Sequence, residues 1–170
     1  MATFRTIKVS NSVDKVRWAD QVWDILKEAY SRVEGGLLFR DKSELIIETS
    51  VWKMVVKKGH IVAVAIFKSK FGQKLVAMGV NSSMDKGFSK KALAFLLRSS
   101  LEKAWMELSE AAEVFVMKYC GGERFLIHHS EAVRYLNKTI ETLDDGYHYM
   151  REIAGIKKTK ILLGTPGYCR

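Results

Sequence analysis

The run from Ile61 to Phe67, IVAVAIF, is apolar at every position. A strand with one face in water would alternate polar and apolar residues, so this run predicts a central strand covered on both faces. Its flanks carry further strand patterns. VWKMVV, from Val51, precedes it across Lys57-Lys58-Gly59-His60, and a glycine between two β-branched runs marks a hairpin. A second turn, KSKFGQ, leads into KLVAMGV. Residues 51–80 therefore predict a three-stranded antiparallel meander.

Helical patterns lie on either side. Phe4 to Val9 alternates as a half-buried strand does, and Ser10-Asn11-Ser12 with Asp14 offer capping oxygens for a following helix. Trp18, Val22, Ile25, Leu26 and Ala29 recur at helical spacing, with the helix ending near Arg32, before Gly35-Gly36. SELIIETS, within residues 37–50, suits a short helix or a strand. Beyond the meander, Ser89 is a candidate cap, and Leu93, Leu96, Leu97, Ser100, Leu101, Ala104, Trp105 and Leu108 predict one long buried helical stripe. AEVFVMKY (112–119) follows as a compact apolar strand, so the helix between it and the meander forms a right-handed βαβ step. A short helix fits Ser130 to Asn137, and GYHYMREI and TKILLG are expected to close the sheet. The pattern is α/β (mixed α+β): a central mixed sheet of six to seven strands flanked by helices. With no repeat and no composition break, residues 1–170 read as a single domain.

No stretch reaches the roughly 20 apolar residues that span a bilayer. The first residues lack the charged region and apolar run of a secretory signal. Cys120 and Cys169 form neither a disulfide framework nor a metal-spaced pair, which suits a reduced, cytoplasmic setting. Lysine and arginine number 28 against 19 acids, a formal +9, which favours polyanions or phosphorylated ligands. The basic residues are nevertheless scattered, as on any well-charged surface. Trp52-Lys53 with Lys57-Lys58, and Lys68, Lys70, Phe71 and Lys74, mix aromatics with cations. That mixture suits stacking on nucleic-acid bases, and equally an edge protected by lysine.

The sharpest chemical clue is NSSMDKGFSKKALAFLL (81–97), a loop that opens into a helix. A helix N-terminus presents unpaired amides and partial positive charge, and so favours phosphate. Gly87 permits close backbone approach or positive φ. Lys86, Lys90 and Lys91 add charge, while Asp85 would repel a phosphate if it faced inward. The plainer alternative is a turn at Gly87 with a cap at Ser89.

The element order, joined to this loop, resembles the GCN5-related N-acetyltransferase (GNAT) family from about Phe4 to Leu163. That family's [Gln/Arg]-x-x-Gly-x-[Gly/Ala] signature matches Met84-Asp85-Lys86-Gly87-Phe88-Ser89 in part, with Met84 and Ser89 departing from it. The resemblance implies a degenerate pyrophosphate loop for acetyl-CoA or another acyl-CoA, held by Met84, Lys86, Gly87, Phe88, Ser89 and Lys90. It implies a thioester carbonyl polarised by amides of Met78, Gly79 and Val80. It also implies that a tyrosine protonates the departing thiolate: Tyr135, in SEAVRYLN, or Tyr119 as its substitute.

A general base is less evident. Glu48 precedes the meander and His60 lies in its first turn. His128 and His129 are adjacent, and successive helix positions diverge, so they do not form a two-ligand pair; no zinc or other metal is expected. Two functions remain open: acyl-CoA-dependent N-acyl transfer to an amine, with an anionic or nucleic-acid-linked acceptor favoured by charge, or a binding module of the same fold without catalysis that contacts nucleic acid or a protein. No membrane partner is expected, and oligomeric state is unassigned.

Overall fold

A computed structural model of the chain describes residues 4–31, 39–69, 73–100, 104–108, 114–115, 118, 126–128 and 160–162. The elements are β1 (Thr6–Val9), α1 (Ser12–Ala29), α2 (Lys42–Ile47), β2 (Val51–Lys57), β3 (His60–Ser69), β4 (Gln73–Val80), α3 (Lys86–Ser100), β5 (Ala104–Leu108), β6 (Leu126–His128) and β7 (Lys160–Leu162). Among these residues the strand order is β1-β2-β3-β4-β5-β7-β6. Pairing is antiparallel from β1 to β4, parallel between β4 and β5, and antiparallel again through β7 to β6.

The meander follows its pattern. Every residue from Ile61 to Phe67 is buried, because β3 has helices over both faces. The hairpin between β2 and β3 turns through Lys58 and Gly59, with φ of 50° and 78°, the left-handed pair that matches strand twist. On one face α3 packs Leu93, Leu96 and Leu97 over Val55, Ala63, Ala65 and Phe67. On the other, α1 and α2 pack Trp18, Val22, Leu26 and Leu45 over Trp52, Met54, Val64 and Ile66. Each of the fully buried Val, Leu, Ile, Phe and Met side chains among these contributes about 1.5–3 kcal/mol.

Asn11 caps α1, accepting from the Asp14 amide at 2.9 Å, and Asp41 caps α2, accepting from the Glu44 amide at 2.8 Å. The SELII portion of the ambiguous segment is thus helical.

Two expectations are overturned beyond β4. The stripe from Leu93 to Leu108 does not form one helix: α3 stops at Ser100, and Ala104–Leu108 is the fifth strand. Fifteen residues of helix span about 22 Å and match the eight-residue β4 at about 27 Å. Continuing to Leu108 would carry the chain about 12 Å further, too far to return beside β4. Within AEVFVMKY the described residues, Val114, Phe115 and Lys118, are helical where a strand was expected. A short apolar run suits either state, and the sheet position beside β4 was already filled by β5. The expected helix at Ser130–Asn137 and the strand GYHYMREI lie outside the described residues, whereas TKILLG contributes β7.

Candidate functional site

Among the described residues β4 and β5 pair at their starts, Gln73 with Ala104 and Lys74 with Trp105. From Leu75 onward the outer edge of β4 has no register with β5. The direction of its amides follows from the β3 ladder. The Asn81 amide donates to the Val62 carbonyl at 2.8 Å, which makes that pair a hydrogen-bonded one. Antiparallel pairs alternate, so Gly79–Val64 is hydrogen-bonded too, while Met78–Ala65 and Val80–Ala63 are not. The Met78 and Val80 amides therefore face the open edge, and Gly79's is spent on β3. A bulge at Val76, where Ile66 pairs with Ala77 and Phe67 with Leu75, bends β4 just before this stretch.

The next segment is tied to the sheet by Asn81. Its Nδ2 donates to the Ile61 carbonyl at 3.0 Å, and its Oδ1 accepts from the Ser83 amide at 3.0 Å and from the Ser83 hydroxyl at 2.6 Å. The Met84 amide closes the turn on the Asn81 carbonyl at 3.2 Å. Asp85 then caps α3, its Oδ1 accepting from the Phe88 amide at 2.9 Å. This corrects the expectation that Ser89 is the cap. Ser89 is buried within the helix, and its hydroxyl donates to the Lys86 carbonyl at 3.3 Å. Gly87 lies in the first helical turn, and positive φ among the glycines is confined to Gly59 in the described residues. A Cβ at Gly87 would meet only Asp85 Oδ1, at 3.2 Å.

The nominated residues thus separate. Lys86 and Gly87 lie at the helix start, whose first amides have no intrahelical acceptor. Lys90 follows one turn on, half-buried. Met84 and Phe88 pack against the α3-side core, with Lys57 Nζ 4.8 Å from the Phe88 ring centre. Tyr119 and Tyr135 lie outside the described residues, as do Cys120 and Cys169.

Sequence patterns gave no hint of Tyr30. It caps the C-terminus of α1: its amide donates to the Leu26 carbonyl at 3.0 Å, and the next amide, Ser31's, donates to the Glu28 carbonyl at 3.2 Å. Its hydroxyl accepts from the Met78 amide at 3.3 Å, at the open edge of β4. Burial pushes the phenol's pKa above 10, and the Met78 amide partly offsets that by favouring phenolate. The side chain is therefore neutral at physiological pH. No motif announces it, because its role follows from strand register and helix packing.

Of the base candidates, Glu48 is ion-paired with Lys68. His60 borders an open cleft of roughly 320 Å³ together with Asp24, Glu28, Asn81, Ser82 and Ser83. There the Ser82 hydroxyl donates to Glu28 at 2.6 Å. Among the described residues no three His, Cys, Asp or Glu side chains gather as a metal site, and no helix is long and apolar enough to cross a membrane.

No family model matches the sequence, and no curated protein matches it. Solved structures do match in shape. N-acetylglutamate synthase from Neisseria gonorrhoeae, complexed with coenzyme A and N-acetyl-glutamate, superposes with a TM-score of 0.55 at 16% identity, over 96% of this chain and 36% of that one. The chain shares the GNAT fold. This chain accordingly spans just over a third of the synthase's length. Diaminobutyrate acetyltransferase EctA from Paenibacillus lautus, in complex with its substrate and coenzyme A, gives 0.43 at 13% identity, over 70% of this chain and 76% of that one. Ribosomal-protein-alanine N-acetyltransferase from Brucella melitensis gives 0.44 at 13%, over 70% and 89%.

Proposed function

We propose that residues 1–170 form one GNAT-like domain that transfers an acyl group from acetyl-CoA, or another acyl-CoA, to an amine. The observation that carries this is the edge of β4 that β5 leaves unpaired beyond Lys74 among the described residues, where the Val80 amide faces outward shortly before the start of α3 and the Met78 amide is bonded to the Tyr30 hydroxyl. Such an edge offers a pantetheine arm strand-like hydrogen bonds, and fixed amides stabilise charge developing on a carbonyl oxygen. The Lys86 and Gly87 amides, with Lys86 and Lys90 nearby, would hold the pyrophosphate. In the transfer, a neutral amine nitrogen attacks the thioester carbon. A C–N bond forms, the C–S bond breaks, and the proton lost by nitrogen balances the one gained by sulfur. Tyr135 or Tyr119 remains the proposed proton donor to that sulfur.

The net charge of +9 favours an anionic acceptor, including one linked to nucleic acid, and the protein would act in the cytoplasm. A second reading, a catalytically inactive GNAT-fold module that contacts nucleic acid or a protein, is favoured by Asp85. Its carboxylate already occupies the helix start where a pyrophosphate would sit.

Calorimetric titration with coenzyme A and acetyl-CoA, beside the Gly87→Trp variant, tests the assignment. The expected result is binding that the variant weakens at least tenfold. No binding at millimolar ligand overturns the transferase; binding untouched by the variant overturns the loop placement. Nucleic-acid contact requires affinity that falls steeply with salt.

A further inference from the structure

We propose that the Tyr30 phenol, and not a bare backbone amide, donates the hydrogen bond that polarises the thioester carbonyl. This rests on the acyltransferase assignment above and names a donor within that site.

The geometry begins with α1. A Cβ on Gly79 would lie 2.9 Å from Ile25 Cγ2 and 3.2 Å from Ala29 Cβ, so the last turn of α1 rests directly on β4. Tyr30, the next residue, is carried to the same edge with its backbone held by the helix end. Its oxygen accepts from the Met78 amide at 3.3 Å. The phenolic proton must then point away from that amide. The phenol is half-buried and neutral, so it keeps this proton at physiological pH.

The path of the arm along β4 brings thioester and phenol together. With the pyrophosphate at the start of α3, the pantetheine arm runs back along β4 and passes Val80 before Met78. The sulfur precedes the acyl carbonyl on that arm. Val80 and Met78 amides are two residues of extended chain apart, about 6.8 Å. Sulfur and carbonyl oxygen share one carbon and are too close to span that distance, so both lie at a single amide; they are placed at Met78, whose amide is already covered by Tyr30. The donor facing the oxygen is the O–H of a chain, N–H to O–H to O=C. Each bond of such a chain polarises the next. When the amine attacks, negative charge grows on that oxygen, and a fixed donor there lowers the barrier. Tyr30 forms no covalent bond and exchanges no proton in this step.

The test is spectroscopic and needs no acceptor. Acetyl-CoA carrying a ¹³C-labelled carbonyl is bound to the native protein, and its C=O stretch is read by difference infrared. The expected result is a band moved to lower frequency than in solution. In Tyr30→Phe the displacement is lost while coenzyme A affinity stays within threefold. Replacing Tyr30 by a fluorinated tyrosine, a stronger donor, deepens the displacement. A displacement that persists in Tyr30→Phe and ignores fluorination overturns the proposal and leaves the transferase standing, with the amide acting directly. A native protein that binds no acetyl-CoA overturns both.

Discussion

Gly79 and Ile25 are packed so closely that a single Cβ on the glycine would sit 2.9 Å from Ile25 Cγ2 and 3.4 Å from the Ile25 carbonyl oxygen. Real Cβ atoms do not approach that near, so Gly79→Ala must push the last turn of α1 off β4. Inserting a methyl into such a contact costs about 1–3 kcal/mol. Urea denaturation should show that loss. Because Tyr30 follows that turn, the same variant should also weaken protection of the Met78 amide against hydrogen exchange. Unchanged stability together with unchanged exchange would mean that the contact is looser than its geometry.

The part of the fold that could be read from sequence is the part whose pattern has one solution. IVAVAIF is an apolar run like AEVFVMKY, but the Lys58-Gly59 turn and the strand patterns on both of its flanks settle it as a strand covered on both faces. The end of α3 had no such signature, because Leu101, Ala104, Trp105 and Leu108 continue a helical spacing equally well. Only the length of β4 decides against it. AEVFVMKY failed for the related reason that a short apolar run carries no period of its own. The loop after β4 ends at Asp85 and not at Ser89, because α3 starts at Lys86, and its cap differs accordingly. Asp85 and Ser89 are both good caps by type, and the hydrogen bond to the Phe88 amide distinguishes them. Tyr30 was invisible because nothing in a single helix reveals which strand amide its last residue will reach.

Asp85 does two things that can be separated. As a cap it satisfies the Phe88 amide, so Asp85→Ala should cost about 1 kcal/mol of stability. As a charge it competes with a phosphate for the start of α3. Asn caps equally well without that charge, so Asp85→Asn should fold normally and bind coenzyme A about two- to fivefold more tightly, from the 0.3–1 kcal/mol that a charge is worth at a helix end. Calorimetry in low salt measures the gain, which should shrink as salt rises. Affinity equal to the native protein's would remove Asp85 from the phosphate's neighbourhood.

Lys8 and Lys53 face each other directly across β1 and β2. Lys53 Nζ also lies 4.9 Å from the Phe67 ring centre. Burial, and then the Lys8 charge, hold the Lys53 ammonium below its ordinary pKa. Opposed like charges destabilise a sheet, whereas opposite charges contribute about 0.2–1 kcal/mol. Lys8→Glu should therefore raise thermal stability at low salt, Lys8→Gln should raise it less, and the difference should fade with added salt. Equal melting temperatures for all three proteins would show that the pair is fully screened.

Lys15 is a lysine with its side chain inside the protein: it is 2% exposed, donates to the Glu48 carbonyl at 2.9 Å and the Ser50 hydroxyl at 3.1 Å, and lies 5.5 Å from the Trp52 ring centre. Burial lowers its pKa from 10.5, with Glu48 opposing and Lys68 reinforcing the shift. The sign of the consequence follows. Between the lowered folded value and 10.5 the unfolded chain holds more protons than the folded one, so stability rises with pH across that window. Below the folded value both states are charged, and the burial penalty is present in full. Other groups titrate in the same range, so the difference between the native protein and Lys15→Met isolates this one. Methionine fills the same space without a charge, and replacing a buried charge by an apolar side chain of similar volume is often neutral or stabilising. The native protein should gain on Lys15→Met as pH rises toward 10.5, in paired urea titrations at neutral and alkaline pH. A stability difference that does not move with pH would show that Lys15 titrates as it would in water.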